Sequence, residues 1–263
     1  MKKFIFLLFV VTNITRCQLF KKDADLALFD NTPAERIANA IELQDTARIE
    51  SLVMGEKINI NYQEPKFDFS LLDLALKHNK VISVIKMLHL GANPNLREPH
   101  DNNLTPFLYA CRLSPYIDNA PYIISLMITC GADVNAEQVK ELPSYKGIKH
   151  FYKRTCLQYL CESSTLECVK ILVENGARLD IYPKNGEGSI LYSATINPGF
   201  DILHYLLIEK KVPIPDYCVI SQKGTKFEKK ISLRQLIVED LRINKNKERL
   251  KIEMLDFLAA HGK

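Results

Sequence analysis

The chain has little excess charge, no apolar run long enough to cross a bilayer, and no short motif of a reaction centre. Lys and Arg number 35 against 31 Asp and Glu, a formal net charge of +4 over 263 residues. That balance is too mild to argue for nucleic acid, whose protein partners carry a basic patch or stripe. The apolar run at the amino terminus, Phe4 to Val11, is far shorter than the ~20 residues of a membrane-spanning helix. GxSxG, a phosphate-cradling Gly-rich loop, HExxH and DxDxDG are all missing, which removes the usual signatures of hydrolase, nucleotide, zinc-protease and calcium sites. No CxxC pair occurs, and His78, His89, His100, His150, His204 and His261 are scattered, so no zinc spacing is present. No cofactor is expected.

What is present is repetition. A Gly-Ala pair returns in HLGANPN (His89 to Asn95), TCGADVN (Thr129 to Asn135) and ENGARLD (Glu174 to Asp180). Each copy follows an apolar run. Upstream of each, a Ser or Thr opens a short helical pattern: Ser70, Thr105 and Thr155, with further anchors at Ser189 and Ser232. Ser70 to Gly91 and Thr155 to Gly176 are both 21 residues, and Lys210 stands the same distance after Ser189. The anchors are separated by 35, 50, 34 and 43 residues. A recurring period names an architecture of stacked units, and the long intervals require insertions.

Local chemistry explains the period. Leu166 to Val173 is apolar at 166, 168, 169, 171, 172 and 173, one wide face of a helix. Thr155 and Ser189 are expected N-caps. Gly91, Gly131 and Gly176 each follow a helical pattern, where a left-handed residue closes the last turn. At the front, Ala34 to Leu43 and Ala47 to Met54 are predicted to form two short helices ending at a turn at Lys57. A single helix pair cannot bury its apolar face, so the units must stack.

The stretch Thr105-Pro106-Phe107-Leu108-Tyr109-Ala110 resembles the ankyrin signature Thr-Pro-Leu-His-x-Ala. Leu166 to Ala177 is similar to the family's second helix and turn. The family's His is replaced by Asp73, Leu108, Gln158, Tyr192 and Gln235. The resemblance implies an all-α ankyrin-repeat solenoid of about six helix-turn-helix units with hairpin-like loops, spanning 33–263. It also implies a non-enzymatic protein-binding scaffold, with another protein as partner and neither nucleic acid nor a small-molecule substrate. Partner contacts are then expected at the ends of first helices, Lys77, His78, Arg112, Glu162 and Ser163, and at loop tips, including Asp101 and Asn102. The ends also include Ile196 and Asn197.

One loop is longer than the rest. Gly131 to Thr155 is 24 residues, against 14 from Gly91 to Thr105 and 13 from Gly176 to Ser189. The extra residues are expected to form a finger, Glu137 to Arg154. It carries Tyr145, Phe151, Tyr152 and Arg154, and aromatics and Arg dominate binding hot spots. The plain alternative is a solvated insertion whose aromatic residues pack on the adjacent unit.

The amino terminus has the layout of an export signal: Met1-Lys2-Lys3, an apolar core, then Cys17 after Ile14-Thr15-Arg16. It resembles a bacterial lipoprotein signal, although Arg16 departs from that pattern. The expected organisation is 1–17 signal peptide, 18–32 tether and 33–263 repeat domain. The chain is then exported to the bacterial cell envelope and held at the membrane where Cys17 is lipidated. Cys111, Cys130, Cys156, Cys161, Cys168 and Cys218 read as small core-filling residues, with disulfide pairing left open. Four rivals remain: a cytosolic adaptor, an inhibitor or immunity-type protein, an enzyme using a Cys nucleophile, and a nucleic-acid binder using the basic C-terminal third.

Overall fold

The computed structural model describes residues 24–97, 104–145, 148–179, 189–221, 228–240 and 245–263. Helix α1 (Ala24–Ala27) leads into six stacked helix pairs. These are α2 (Glu35–Glu42) with α3 (Thr46–Glu50), α4 (Leu71–Lys77) with α5 (Val81–His89), and α6 (Pro106–Leu113) with α7 (Ala120–Thr129). The finger follows as strands β1 (Glu137–Tyr145) and β2 (Ile148–Thr155). Next come α8 (Cys156–Ser163) with α9 (Leu166–Glu174), and α10 (Ile190–Ile196) with α11 (Asp201–His204). A short β3 (Val219–Ser221) and β4 (Lys229–Ile231) precede the last pair, α12 (Leu233–Glu239) with α13 (Lys245–Ala260). First helices pack on first helices along one row, and second helices on second helices along another. The fold is a helical repeat solenoid. Among the described residues no helix is long and apolar enough to cross a membrane.

All five anchors are N-caps. The hydroxyls of Ser70, Thr105, Thr155, Ser189 and Ser232 accept from the backbone amides of Asp73, Leu108, Gln158, Tyr192 and Gln235. At Ser70 and Thr155 the third helical residue reaches back, completing a capping box. The positions that replace the family's His therefore serve first as capping partners.

The Gly-Ala pair closes the second helix in three of the pairs, α5, α7 and α9. Gly91 takes φ +90°, a left-handed conformation that a side chain would strain. The amide of the following Ala92 then donates to Met87 O at 2.9 Å, and Ala132 and Ala177 repeat this to Met127 and Leu172. Each Ala is buried. Two pairs end differently. α3 and α11 run on as π turns, Ser51–Gly55 and Tyr205–Glu209. Ile58 N and Val212 N close these wider turns onto Leu52 O and Leu206 O. The added residue moves the left-handed position to Lys57 and Lys211, at φ +59° and +52°. Lys210, expected at the glycine position, is right-handed helical.

The array begins earlier than its sequence suggests. Residues 24–32, assigned above to a tether, fold onto the first pairs. Leu26 and Phe29 are buried, and the Phe29 ring lies 6.3 and 6.5 Å from those of Tyr62 and Phe69. The apolar end of a stack must be covered, and this short segment covers it.

Candidate interaction surface

The long loop is a β-hairpin. β1 pairs with β2 antiparallel from Glu137↔Thr155 through Leu142↔His150, with an irregularity before Tyr145↔Ile148. Its last residue is the N-cap Thr155, so hairpin and first helix α8 share one continuous backbone. Three contacts tie the hairpin's base to the stack. The Tyr159 hydroxyl donates to Gln138 Oε1 at 2.5 Å. The Arg154 guanidinium lies 5.2 Å from the Tyr159 ring centroid. It also lies 2.5 Å from Glu162 Oε2, with side-chain exposures of 24% and 15%. Glu162 accepts further from Ser193 Oγ on α10 at 3.2 Å. Arg154 and Glu162, both expected as partner contacts, thus engage each other across the hairpin–helix junction.

The other expected residues divide. Lys77 Nζ is 2.7 Å from Asp25 and 5.5 Å from the Phe69 ring centroid. His78 sits between two carboxylates, Nδ1 2.7 Å from Glu42 and Nε2 3.4 Å from Asp25. Burial alone would raise the Glu42 pKa, but hydrogen bonds and charge from Lys80 and His78 outweigh it and hold the carboxyl below its ordinary range. Lys77 and His78 therefore clasp α1 and α2 to the second pair. Arg112 stacks over Tyr109 at 4.8 Å and, among the described residues, makes no ion pair. Ser163 is exposed, its hydroxyl donating to Tyr159 O. Ile196 is exposed, whereas Asn197 is buried and donates to Ser164 O. Tyr145, Phe151 and Tyr152 lie on the hairpin strands, and their side chains fall outside the described part of the structure. Asp101, Asn102 and Cys17 lie outside the described residues.

Two features escaped the sequence reading. The first is a further, shorter insertion. The second helix begins 11 residues after the anchor in the Ser70 and Thr155 units but 15 after Thr105. The extra residues form a 3-10 turn, Ser114–Tyr116, that leaves Tyr116 76% exposed. The signal was available: Thr105 to Gly131 is 26 residues, not 21. The second is an asparagine ladder. Asn95 accepts from Asp133 N at 2.8 Å and donates to Gly131 O at 2.8 Å. Asn135 does the same with Arg178 N and Gly176 O, and Asn61 accepts from Asn93 N. The fourth residue after each turn residue Lys57, Gly91 and Gly131 is Asn, a regularity the period alone would have exposed.

The six described cysteines are free thiols, and all but Cys130 are buried. Burial pushes the Cys218 thiol up to about 11 against a hydrogen bond from Ser189. Burial likewise pushes up Cys161, helped by the Glu162 charge, and Cys111, helped by its neighbour Cys156. Among the described residues no cluster of His, Cys, Asp and Glu is arranged to hold a metal ion.

A family model described as ankyrin repeats, in three copies, matches residues 117–216. No curated protein matches the chain. The match runs from α7 to beyond α11. The capped helices, left-handed glycine turns and asparagine ladder continue on its amino-terminal side. Ankyrin repeats are protein-interaction modules, and the chain carries them over residues 117–216.

Proposed function

We propose that the chain is a non-enzymatic scaffold of the bacterial cell envelope that binds a partner protein through its hairpin finger and the ends of its first helices. The observation that carries this reading is the anchored finger. A hairpin locked to its stack by Arg154–Glu162 and Tyr159–Gln138 presents its residues with little ordering entropy left to lose on binding. Among the described residues five cysteines are buried, and burial pushes up the thiols of Cys111, Cys161 and Cys218, which supports the non-enzymatic part. The envelope part rests on the export layout before Cys17.

Replacing Tyr145, Phe151 and Tyr152 together by Ala tests the finger without disturbing its anchor. Partner capture is expected to fall with helicity intact; unchanged capture would remove the finger from the interface. Location is read by cell fractionation and by the mass of the amino-terminal peptide. A lipid-modified, membrane-bound Cys17 is expected, and a Cys17→Ser chain that leaves the membrane fraction would agree. A second reading, a cytosolic adaptor with an uncut amino terminus, is favoured by the free thiols, which suit a reducing compartment. A soluble, full-length chain in the cytosolic fraction would establish it.

A further inference from the structure

The residues seven positions after each anchor form a series across the middle of the array. In the second pair this position is Lys77, satisfied by Asp25. In the fourth it is Glu162, satisfied by Arg154 from the position just before its anchor. In the third pair, between them, it is Arg112. The position before that anchor is Leu104, buried and unable to supply a charge. Arg112 is accordingly the one member of these three that makes no ion pair among the described residues, although the Asp73 and Asp25 carboxylates act on the Tyr109 hydroxyl beside it.

It is nevertheless held in place. The guanidinium lies over the Tyr109 ring, and that ring is itself packed edge-on against Phe69 at 6.5 Å. Apart from the hydrogen bond it gives the Tyr109 hydroxyl, a guanidinium seated on an aromatic face keeps N–H donors of its fork for a planar oxyanion. The 3-10 insertion follows directly, placing the exposed Tyr116 beside it in the chain and leaning on α8. The Oγ of Ser114 in this turn is buried with no hydrogen-bond partner among the described residues. Further along the chain, the finger segment 137–155 carries five Lys and Arg against two Glu.

We propose that Arg112, on its Tyr109 platform and next to Tyr116, is the docking point for an acidic segment of the partner protein, taking an Asp or Glu carboxylate. This rests on the protein-binding reading and deepens it by naming the partner's chemistry. A carboxylate matches the guanidinium fork in two parallel hydrogen bonds. Tyr116 adds an exposed ring of the kind that buries area in binding centres. The basic finger raises the encounter rate of an acidic partner.

The probe is an array of short peptides of varied sequence, in which every Asp/Glu-rich member has an Asn/Gln counterpart, applied to the full chain at low and moderate salt. Acidic members are expected to bind and their amide counterparts to fail. Arg112→Ala weakens the bound set about tenfold, and Arg112→Lys, which keeps charge but loses the fork, falls between. Lys170→Ala, a basic change in the second-helix row, leaves binding unchanged. Circular dichroism confirms retained helicity, and should Arg112→Ala lose helicity, Arg112→Lys carries the comparison. Equal binding of the amide peptides, insensitivity to Arg112, or failure of every acidic peptide overturns the proposal. If proteins are still captured through the finger in that event, the scaffold reading survives. If nothing is captured by either route, the scaffold reading falls first.

Discussion

At the scale of single residues, the asparagines after each turn link one unit to the next. Asn135 spends both ends of its amide on the following unit, and its own N–H donates to Asp133 Oδ1 at 2.9 Å. Such bonds satisfy backbone groups in an exposed turn where apolar packing is thin. An intramolecular hydrogen bond contributes roughly 1 kcal/mol net, so Asn135→Ala is expected to destabilise by about 1 to 2 kcal/mol in chemical denaturation. Asn59→Ala, which removes one bond within its own turn, serves as the smaller reference. Equal midpoints for the two variants would mean the ladder is ornamental. The cysteines are argued at the same scale. A thiol reacts as thiolate, and burial opposes that charge at Cys111, Cys161 and Cys218. Near neutral pH the half-buried Cys130 is expected to label first and the five buried thiols slowly, becoming fast on unfolding. One fast thiol among the buried five, scored by peptide mass mapping, would reopen the enzyme reading.

At the scale of elements, the hairpin and α8 are one mechanical piece. Removing the guanidinium in Arg154→Ala leaves Glu162 largely buried with Ser193 as a remaining donor. The expected cost is about 1 to 2 kcal/mol, below that of a deeply buried pair because both groups keep some solvent contact. Amide exchange across Glu137–Thr155 should quicken, and Glu162→Gln added to Arg154→Ala should recover part of the stability. A finger whose exchange is indifferent to Arg154 would not be held in the way described. The helices, their caps and their glycine ends were legible in the sequence because each is set by nearest neighbours: a hydroxyl, a 3.6-residue apolar rhythm, a left-handed turn. The length of the long loop was legible too, but not that it pairs as strands from Glu137↔Thr155 upward. The Ser114–Tyr116 turn was not legible in the anchor spacing because it and the longer hairpin insertion lengthen the same interval between Thr105 and Thr155. Arg154 was expected to face a partner. Its role as an anchor depends on Glu162, eight residues on, and only the turn geometry brings those groups together.

At the scale of the whole molecule, an array of like units has two open ends, and the amino-terminal one is closed by residues whose sequence looks like a linker. Phe29 is wholly buried among Tyr62 and Phe69. Phe29→Ala should cost about 3 kcal/mol or more, the usual loss for a buried aromatic, and should melt the first two pairs ahead of the rest. Uniform loss of exchange protection along the chain would argue against an end cap. The same closure has an electrostatic clasp, with Lys77 and His78 on Asp25 and with His78 and Lys80 on Glu42. The Glu42 carboxyl titrates lower in the folded chain than when unfolded. The unfolded state therefore binds the proton first as pH falls, so this contribution is complete above the ordinary glutamate range near about 4.3. It is lost as pH drops through the lower folded value. Acid below about pH 4 should thus loosen the amino-terminal cap before the middle of the array. Glu42→Gln should abolish that acid step while lowering cap stability at neutral pH. Amide exchange of residues 24–42 followed against pH distinguishes the cases, and an unchanged acid step in Glu42→Gln would place the sensitivity in another group.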